Sequence, residues 1–268
     1  MNSWYRAYAC GIVVNMKYIK INTLGCFSPP VMLATFFIEI SLAIYVNWRY
    51  KFDNITKLVI AILFFLSVFQ LSEWNVCEGA FGFDSLSWAR VGFVAITMLP
   101  PLGFHLATRL AGEKRTVMIA TAYTTAAVFA AFFAFSGQGI VSQACLGNYA
   151  IFKSVPGAMN LYAAYYYGWL IVGTAYCLYM ARETKQPNRA AALRGLAAGY
   201  LVFILPTTLA NVLDPSTIAG IPSIMCGFAV FLALILAGEV LPRYYQQPTW
   251  LDYMRGAVSQ RSHGKTAR

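Results

Sequence analysis

The chain has 268 residues, of which 59% are hydrophobic and 11% are charged, and its formal net charge at pH 7 is +10. A soluble domain contains about 45–50% apolar and about 25% charged residues, so this composition excludes an ordinary soluble fold. We therefore expect an integral membrane protein whose principal partner is the lipid bilayer.

Seven apolar segments, each long enough to cross a bilayer, fill the chain between Pro30 and Pro242. A helix needs about 20 apolar residues to span the hydrocarbon core, and unbroken runs of this length favour helices over barrel strands. The sequence predicts an all-α, seven-transmembrane helix bundle at residues 30–242, between a leader at 1–29 and a basic tail at 243–268. The predicted helices cover residues 30–48, 56–76, 87–109, 116–138, 158–181, 191–213 and 218–241.

The basic residues are concentrated on alternate loops, which indicates the orientation of the bundle. Fifteen lysines and arginines lie on the side where helices one, three, five and seven end, whereas four lie on the opposite side. The positive-inside rule then places the amino end outside and the carboxyl end in the cytoplasm, in the plasma (inner) membrane of the cell. Because these charges are spread over four stretches and form no groove-sized patch, no nucleic-acid partner is expected.

The two ends of the chain are predicted to lie outside the bundle. Lys17 and Lys20 interrupt the apolar run that Gly11 to Val14 begins, so the leader lacks the core of a signal peptide. We expect it to be uncleaved and poorly ordered, with Met16 or Met32 as alternative starts. The tail is expected to be either solvated or a short interfacial helix.

Two cysteines are predicted to face the oxidising side of the membrane. Cys77 follows helix two and Cys145 lies between helices four and five, so both belong to outer loops in the predicted topology. We expect a disulfide between them that holds the long loop at residues 137–158 over the mouth of the bundle; the alternative is two unpaired loop cysteines. Cys177 and Cys226 fall within helices, where a buried free thiol is expected.

Few polar side chains lie within the predicted helices, and each is costly in lipid. Glu39 lies near the middle of helix one, Gln70 and Glu73 in the outer third of helix two, and Arg90 near the outer start of helix three. Because Glu73 and Arg90 share one depth on consecutive helices, a salt bridge between them is expected. The alternative is that this pair binds a ligand or senses a signal.

Aromatic residues surround this polar group near the outer surface. Trp74 and Trp88 lie at headgroup level, where an interfacial belt is the ordinary role of tryptophan. Helix five carries Tyr165 among several aromatics, for which packing and an aromatic pocket are both open, and helix six carries Asn211 after Pro206. The candidate ligand site, for a small molecule of unknown identity, comprises Gln70, Glu73, Trp74, Trp88, Arg90, Tyr165 and Asn211.

Pro100 and Pro101 interrupt helix three at its centre. Two prolines remove two backbone donors, so a kink is expected there, and a hinge or switch is a candidate role. His105, a few residues further in, would lie close to the freed carbonyls and could donate to one of them. Two interpretations of His105 stay open, namely a core histidine or proton sensing together with Glu39.

Missing residues argue against several seven-helix functions. A retinal protein needs a lysine in its last helix, and residues 218–238 contain none. Hydrolases that resemble ceramidases need several histidines with an acid, whereas this chain has two histidines, His105 and His263. Nucleophile elbows, phosphate-binding loops and CxxC metal motifs are absent as well. We therefore expect no enzyme activity, no cofactor and no metal site.

A set of residues in the second hairpin carries a family resemblance. These residues are Trp74, the Trp88-x-Arg90 pair, Gly92 and Leu99-Pro100-Pro101. In them the chain resembles the seven-helix sensory membrane region that precedes bacterial histidine kinases and related signalling outputs. The resemblance implies a sensor that detects an extracytoplasmic or membrane-borne signal and passes it through its last helix to a cytoplasmic signalling protein, expected here as a separate partner. A small-molecule transporter, a channel subunit and a scaffold without ligand are the alternatives.

Overall fold

The structure is a computed structural model that describes residues 29–79, 82–146, 149–155, 157–213, 220–252 and 254. Long helices make up most of it, joined by short connections and one strand hairpin. The predicted leader, apart from residue 29, and most of the predicted basic tail lie outside the described residues.

Long helical stretches follow one another along the described chain, and two of them are composite. The third is divided at Met98, and the last continues through a π-helical turn, Leu236–Val240, into a short final helix. The helices are α1 (Pro29–Arg49), α2 (Asn54–Glu78), α3 (Ser85–Thr97), α4 (Leu99–Ala111), α5 (Thr116–Phe135), α6 (Ala158–Glu183), α7 (Pro187–Leu213), α8 (Ile221–Ile235) and α9 (Leu241–Tyr244), and the strands are β1 (Ser142–Leu146) and β2 (Tyr149–Lys153).

Six of these stretches are long and apolar enough to cross a membrane, which confirms a multi-pass, all-α membrane protein. The predicted bounds differ from the observed ones by four residues or fewer. Helix α6 has the necessary length but is not among the six, since its many tyrosines lower its hydropathy. The six run over Pro29–Arg49, Asn54–Glu78, Ser85–Ala111, Thr116–Phe135, Pro187–Leu213 and Ile221–Tyr244.

Helix α2 lies at the centre of the bundle, where it packs against α1, α3, α4 and α8. Its large apolar side chains, including Leu63, Leu66 and Phe69, are fully buried. Other large apolar side chains, such as Phe37 and Val128, are exposed on the outside of the bundle. An apolar exterior of this kind is unfavourable in water and favourable in lipid, so it agrees with the membrane assignment.

A strand hairpin stands where the sequence predicts only a long loop, between α5 and α6. Strands β1 and β2 pair antiparallel, from Ser142 opposite Lys153 to Leu146 opposite Tyr149. The ring of Phe152 is buried and its centroid lies 5.1 Å from that of Phe93 in α3. The hairpin is therefore attached to the bundle by an aromatic contact.

Gly103 of α4 permits a close approach to α7. A Cβ atom at this position would lie 2.1 Å from the hydroxyl oxygen of Tyr200, whose ring is buried and has little room to move. We expect Gly103→Ala to lower the free energy of unfolding by about 1–3 kcal/mol, the ordinary cost of overpacking. Thermal unfolding of the purified protein in detergent measures this change.

Gly168→Ala is the matched control for this substitution. Gly168 lies inside α6, and no neighbouring side chain comes within 4 Å of the place that its Cβ would take. Alanine favours a helix over glycine, so the control should keep or raise the unfolding temperature. Equal stability of the two variants would contradict the close contact between α4 and α7.

Candidate functional site

The double proline interrupts the third helical stretch as predicted. Helix α3 ends at Thr97 and α4 begins at Leu99. Because Pro100 and Pro101 have no N–H group, the carbonyl groups of Ile96 and Thr97 lose their helical donors. Hydrocarbon offers no replacement, so a freed carbonyl in the bundle needs a donor from another helix.

Two tyrosines of α6 form hydrogen bonds at this break. The Tyr165 hydroxyl donates to the Thr97 carbonyl oxygen at 2.7 Å. The Tyr162 hydroxyl lies 3.1 Å from Thr97 Oγ1, which donates to the Phe93 carbonyl oxygen at 2.6 Å. Tyr165, predicted as either a ligand-binding or a packing residue, thus satisfies the carbonyl that Pro101 leaves without its helical partner.

Polar side chains in the carboxyl-terminal part of α2 face α8. Gln70 Nε2 donates to the Cys226 carbonyl oxygen at 2.9 Å, and the Glu73 carboxyl group hydrogen-bonds with Ser223. Gln70 and Glu73 are each only 1% exposed. These contacts connect the centre of the bundle to the beginning of its last long helix.

Glu39 completes this group from the side of α1. It is 0% exposed, and neither of its carboxyl oxygens has a hydrogen-bond partner among the described residues. It interacts electrostatically with Glu73, and Cys226 lies close enough to interact with both carboxyl groups. We name the set of Glu39, Gln70, Glu73, Ser223 and Cys226 the carboxylate cluster.

The predicted salt bridge between Glu73 and Arg90 is not formed. Among the described residues, ion pairs join Arg115 to Glu113 and Arg243 to Glu239. On the face of α2 that meets α3, Ser72 and Phe69 pack against Gly92 of that helix. Successive helical residues are about 100° apart, so Glu73 turns from this face toward α8, and Arg90 turns away from α2. Equal depth therefore does not bring the two charges together.

The other residues of the predicted ligand site are spread over several helices. Trp74 and Trp88 are half-buried, and the Trp88 ring makes an edge contact with Phe83, with centroids 5.6 Å apart. Both tryptophans lie near helix ends, where interfacial aromatics are common. Asn211 is half-buried near the end of α7. Of the predicted set, Gln70 and Glu73 are the two that share the carboxylate cluster.

His105 has partners that the sequence did not indicate. Its Nδ1 lies 3.3 Å from the Tyr123 hydroxyl, and its Nε2 accepts a hydrogen bond from Arg109 Nε at 3.1 Å. It therefore faces α5 and its own next turn. Neither predicted contact, with a carbonyl freed by the prolines or with Glu39, is formed, because Glu39 faces α2 and α8.

The predicted disulfide falls partly outside the described side chains. Cys77 belongs to the last turn of α2 and not to a loop, whereas the backbone of Cys145 lies in β1, opposite Ala150. Strand β1 packs near α2, but the Cys145 side chain lies outside the described residues, so the bond stays a prediction. Cys177 and Cys226 are buried free thiols, which confirms the expectation for them.

A polar junction joins the beginning of α2 to the end of the last helix. Asp53 Oδ1 caps α2 by accepting hydrogen bonds from the backbone N–H groups of Ile55 and Thr56, at 2.9 and 3.0 Å. Asp53 Oδ2 accepts a 2.6 Å hydrogen bond from the Tyr245 hydroxyl, which also lies 2.9 Å from Thr56 Oγ1. The Tyr50 ring stacks on that of Tyr245, with centroids 5.4 Å apart. We name this contact the Tyr245 junction.

Asp53 is held in its ionised form at this junction. Partial burial raises the pKa of its carboxyl group. The hydrogen bonds from Tyr245, Thr56 and Ile55 together lower this pKa by more than burial raises it, so the pKa lies below its ordinary value. The Asp-x-x-Thr sequence before an apolar run is a visible cap signal. Nothing in the local sequence indicates Tyr245, which is 192 residues away.

The last helical stretch contains a wider, π-helical turn between the carboxylate cluster and the Tyr245 junction. Gly238 lies in the π-helical turn, and a Cβ atom there would lie 2.4 Å from the Trp250 ring, so the indole packs directly on the helix backbone. Thr249 and Asp252 form a reciprocal cap, with Thr249 N donating to Asp252 Oδ2 and Asp252 N to Thr249 Oγ1. The beginning of the predicted interfacial tail is thus folded onto the π-helical turn of the last helix.

A small cavity adjoins the carboxylate cluster at Cys226. About 20 Å³ of it is open to the centre of a water molecule, which is room for about one water. Most of its lining is apolar, including Leu66, Leu99 and Met225, and Tyr166, Tyr200 and Phe203 contribute its aromatic surface. A cavity of this size does not accommodate a drug-sized organic ligand.

Comparisons with known proteins give no assignment, since no family model, no curated protein and no solved structure matches the chain. Within the described ranges, no group of three or more histidine, cysteine, aspartate or glutamate side chains is arranged to hold a metal ion.

We expect Tyr165→Phe to lower the free energy of unfolding by about 1–3 kcal/mol, because it leaves the Thr97 carbonyl buried without a donor. Tyr179→Phe is the control, since Tyr179 lies on the same helix and is 59% exposed. Thermal unfolding in detergent compares the two variants. Similar unfolding temperatures for both would show that Tyr165 does not stabilise the break.

Asp53 should make stability depend on pH in the acidic range. Because its folded-state pKa is lowered, its contribution is present above the unfolded pKa of about 3.9 and is lost as the pH falls through the folded value. We expect Asp53→Asn to be less stable than the wild type at pH 7 and to lose this part of the acid dependence. Unfolding temperatures between pH 7 and the acid limit measure both effects, and an unchanged acid dependence would contradict the assignment.

Proposed function

We propose that this membrane protein is a receptor-like sensor that detects an extracytoplasmic or membrane-borne signal. It acts through a separate cytoplasmic signalling protein, has no catalytic role of its own, and resides in the plasma membrane. The observation that carries the proposal is a two-ended contact. Helix α2 meets the last helical stretch once at the carboxylate cluster and again at the Tyr245 junction.

The proposal takes α6 as a seventh crossing. Its 26 residues give about 39 Å of helix rise, more than the roughly 30 Å of the hydrocarbon core. Its tyrosines are accommodated because Tyr162, Tyr165 and Tyr166 face the interior of the bundle and are buried. Seven crossings put the two ends of the bundle on opposite sides, and the basic residues favour a cytoplasmic carboxyl end.

In this orientation the carboxylate cluster lies toward the outside and the Tyr245 junction toward the cytoplasm. Ser223 and Tyr245 are separated by about 33 Å of helix rise. A hydrogen-bonded helix moves as a unit over such a length, so a shift of α8 at Ser223 would reach Tyr245. The π-helical turn at Leu236–Val240 is the place where its direction can change, as π turns often mark functional sites.

The observed contacts reduce the number of residues that are proposed to receive the signal. Gln70 and Glu73 bind α8 directly, so a change at either one acts on the last helix. Trp74, Trp88, Arg90 and Asn211 stay candidates for contact with a ligand near the surface. Tyr165 is assigned a structural role at the proline break, where Pro100 and Pro101 stay the candidate hinge.

The family resemblance supports the same proposal. Gly92, one of the residues that carry it, lies against Ser72 and Phe69 and allows α3 to approach α2 closely. The Leu99-Pro100-Pro101 sequence begins α4 at a break supported by α6. These residues thus have specific packing roles in the hairpin that carries the resemblance. We expect the membrane regions of bacterial sensory histidine kinases to be relatives of this chain.

A transporter or channel subunit is the second candidate, and one observation favours it. Glu39 and Glu73 are buried within the bundle, and no basic residue in the described part of the chain is paired to either. Intramembrane carboxyl groups often mark the path of a proton or another cation. The small size of the adjoining cavity argues for a closed pathway in this conformation.

Hydrogen–deuterium exchange at one pH tests the two-ended coupling. Glu73→Gln should change the exchange of the amides around the Tyr245 junction, because it alters the contact with Ser223 at the far end of the same helix. The reporters are the amides of Tyr245, Gln246 and Gln247, which donate to carbonyls of the preceding turn. Glu78→Gln, an exposed residue at the end of α2, is the control. Unchanged exchange in Glu73→Gln would contradict the sensor mechanism.

Proton flux separates the sensor from the transporter. Sealed proteoliposomes that contain a pH-sensitive dye are given a pH gradient, and the rate of its collapse is compared with that of protein-free liposomes. If the protein is a sensor, the pH gradient should collapse at the same rate in proteoliposomes and in protein-free liposomes. A faster collapse that Glu39→Gln removes would favour the transporter.

A further inference from the structure

Glu39 is in an unusual environment for a carboxyl group. It lies ten residues from either end of α1, about 15 Å of helix rise from each, so it is near the middle of the membrane. Both of its oxygens are buried without hydrogen-bond partners among the described residues. An ionised carboxylate at such a position costs several kcal/mol unless a cation neutralises it.

Glu73 has a different environment, although it is buried to the same degree. One oxygen of its carboxyl group hydrogen-bonds with Ser223, the third residue of α8, so the group lies by the amino end of that helix, while Oε1 has no hydrogen-bond partner among the described residues. The amino end of a helix carries partial positive charge and stabilises an anion. Two interacting carboxyl groups whose surroundings differ in this way divide into one acid and one anion.

The two side chains lean toward one another. Side chains on a helix tilt toward its amino end, and α1 and α2 are antiparallel neighbours, so their carboxyl groups approach from opposite directions. Their electrostatic interaction and the shared neighbour Cys226 agree with this arrangement. Two negative charges in such a site would repel strongly, since the surrounding medium screens them poorly.

The described residues around the pair supply no balancing positive charge. Helices α3, α4 and α8 and the strand hairpin pack against α1 or α2 and bring Arg90, His105, Arg109, Cys226 and Lys153 as their titratable or charged groups. Of these, only Cys226 interacts with the two carboxyl groups. His105 and Arg109 bind each other on the side of α5, and Lys153 is exposed.

We infer that Glu39 and Glu73 form a proton-binding site in which Glu39 carries one exchangeable proton and Glu73 is the anion. On uptake, the Glu39 carboxylate takes a proton from hydronium and leaves water; on release, the reverse occurs. The one-water cavity beside Cys226 lies next to this pair. Loss of the proton would place two like charges between α1, α2 and α8 and push these helices apart.

A proton fits this site better than a metal cation. Hard cations such as Mg²⁺ and Ca²⁺ take about six to eight oxygen ligands. Here the side chains offer at most six oxygens, namely the four of the two carboxyl groups, the hydroxyl of Ser223 and Oε1 of Gln70, while the Cys226 carbonyl already accepts from Gln70. Among the described residues, no three acidic, cysteine or histidine side chains are grouped so that they could hold a metal ion. A proton needs a single oxygen. The site itself does not depend on the proposed function, but its role as the detected signal rests on the proposed sensor.

Infrared spectroscopy of the full chain in lipid nanodiscs tests the site. An un-ionised carboxyl group has a C=O stretching band that carboxylates lack. We expect this band at neutral pH in the wild type and in the control Glu78→Gln, and its absence in Glu39→Gln. Raising the pH should remove the wild-type band, and in Glu73→Gln the same band should disappear at a lower pH, because the neighbouring negative charge is gone.

A second variant protects the test against misfolding. If Glu39→Gln does not insert, Glu39→Asp should shift the band in frequency without removing it. A wild-type band that is absent at neutral pH, or unmoved in every Glu39 variant, would overturn the inference. Loss of the band when Na⁺ is added at constant pH would overturn the inference as well, because Na⁺ would then have displaced the proton and the site would be a sodium site.

Failure of the site and failure of the sensor are distinguishable. A band assigned to Glu39 with unchanged amide exchange at the Tyr245 junction in Glu73→Gln would support the proton site and contradict the proposed sensor. The absence of the band, together with a response of the junction to Glu73→Gln, would contradict the proton site and leave the sensor supported.

Discussion

The hydrogen bond from Tyr165 to the Thr97 carbonyl is the contact on which the interior of the bundle depends. Pro101 removes the helical donor of this carbonyl, and the hydrocarbon around the bundle offers none. The bond therefore links α6 to the break between α3 and α4, and it fixes how the aromatic face of α6 meets the rest of the bundle. Phe93, Phe133 and Tyr162 pack around it, with ring centroids 4.7–5.9 Å apart.

Helix α2 contacts α1, α3, α4 and α8, and its packing determines where its polar side chains lie. Ser72 of α2 and Gly92 of α3 are small and lie against each other, so the two helices pack closely and the polar residues on the next strip of α2 face α8 and α1. The carboxylate cluster is thus a product of packing geometry. At the opposite end, Asp53 caps the same helix and accepts from Tyr245, so one rigid element has polar contacts with the last helix at both ends.

Sequence patterns correctly predicted the features that depend on a single helix. Runs of apolar residues predicted the bounds of the helices, and Pro100 with Pro101 predicted the break, because spanning length and missing N–H groups are local properties. Pairings between helices failed for Glu73 with Arg90 and for Glu39 with His105, because depth follows from residue number whereas the direction of a side chain depends on which faces pack. The Tyr245 junction and the β1–β2 hairpin had no usable signal, since a distant partner or a short paired segment leaves little trace in composition.

The Tyr245 junction also has a consequence for the order in which the molecule is completed. Asp53 caps α2 through neighbouring residues, so this cap can form as soon as the first hairpin enters the membrane. Its second oxygen acquires its partner 192 residues later, after every intervening helix has been synthesised. The finished contact is therefore present only in a chain whose α8 and α9 have been inserted and docked, and it marks at the membrane surface that the helices from α2 to α9 have come together.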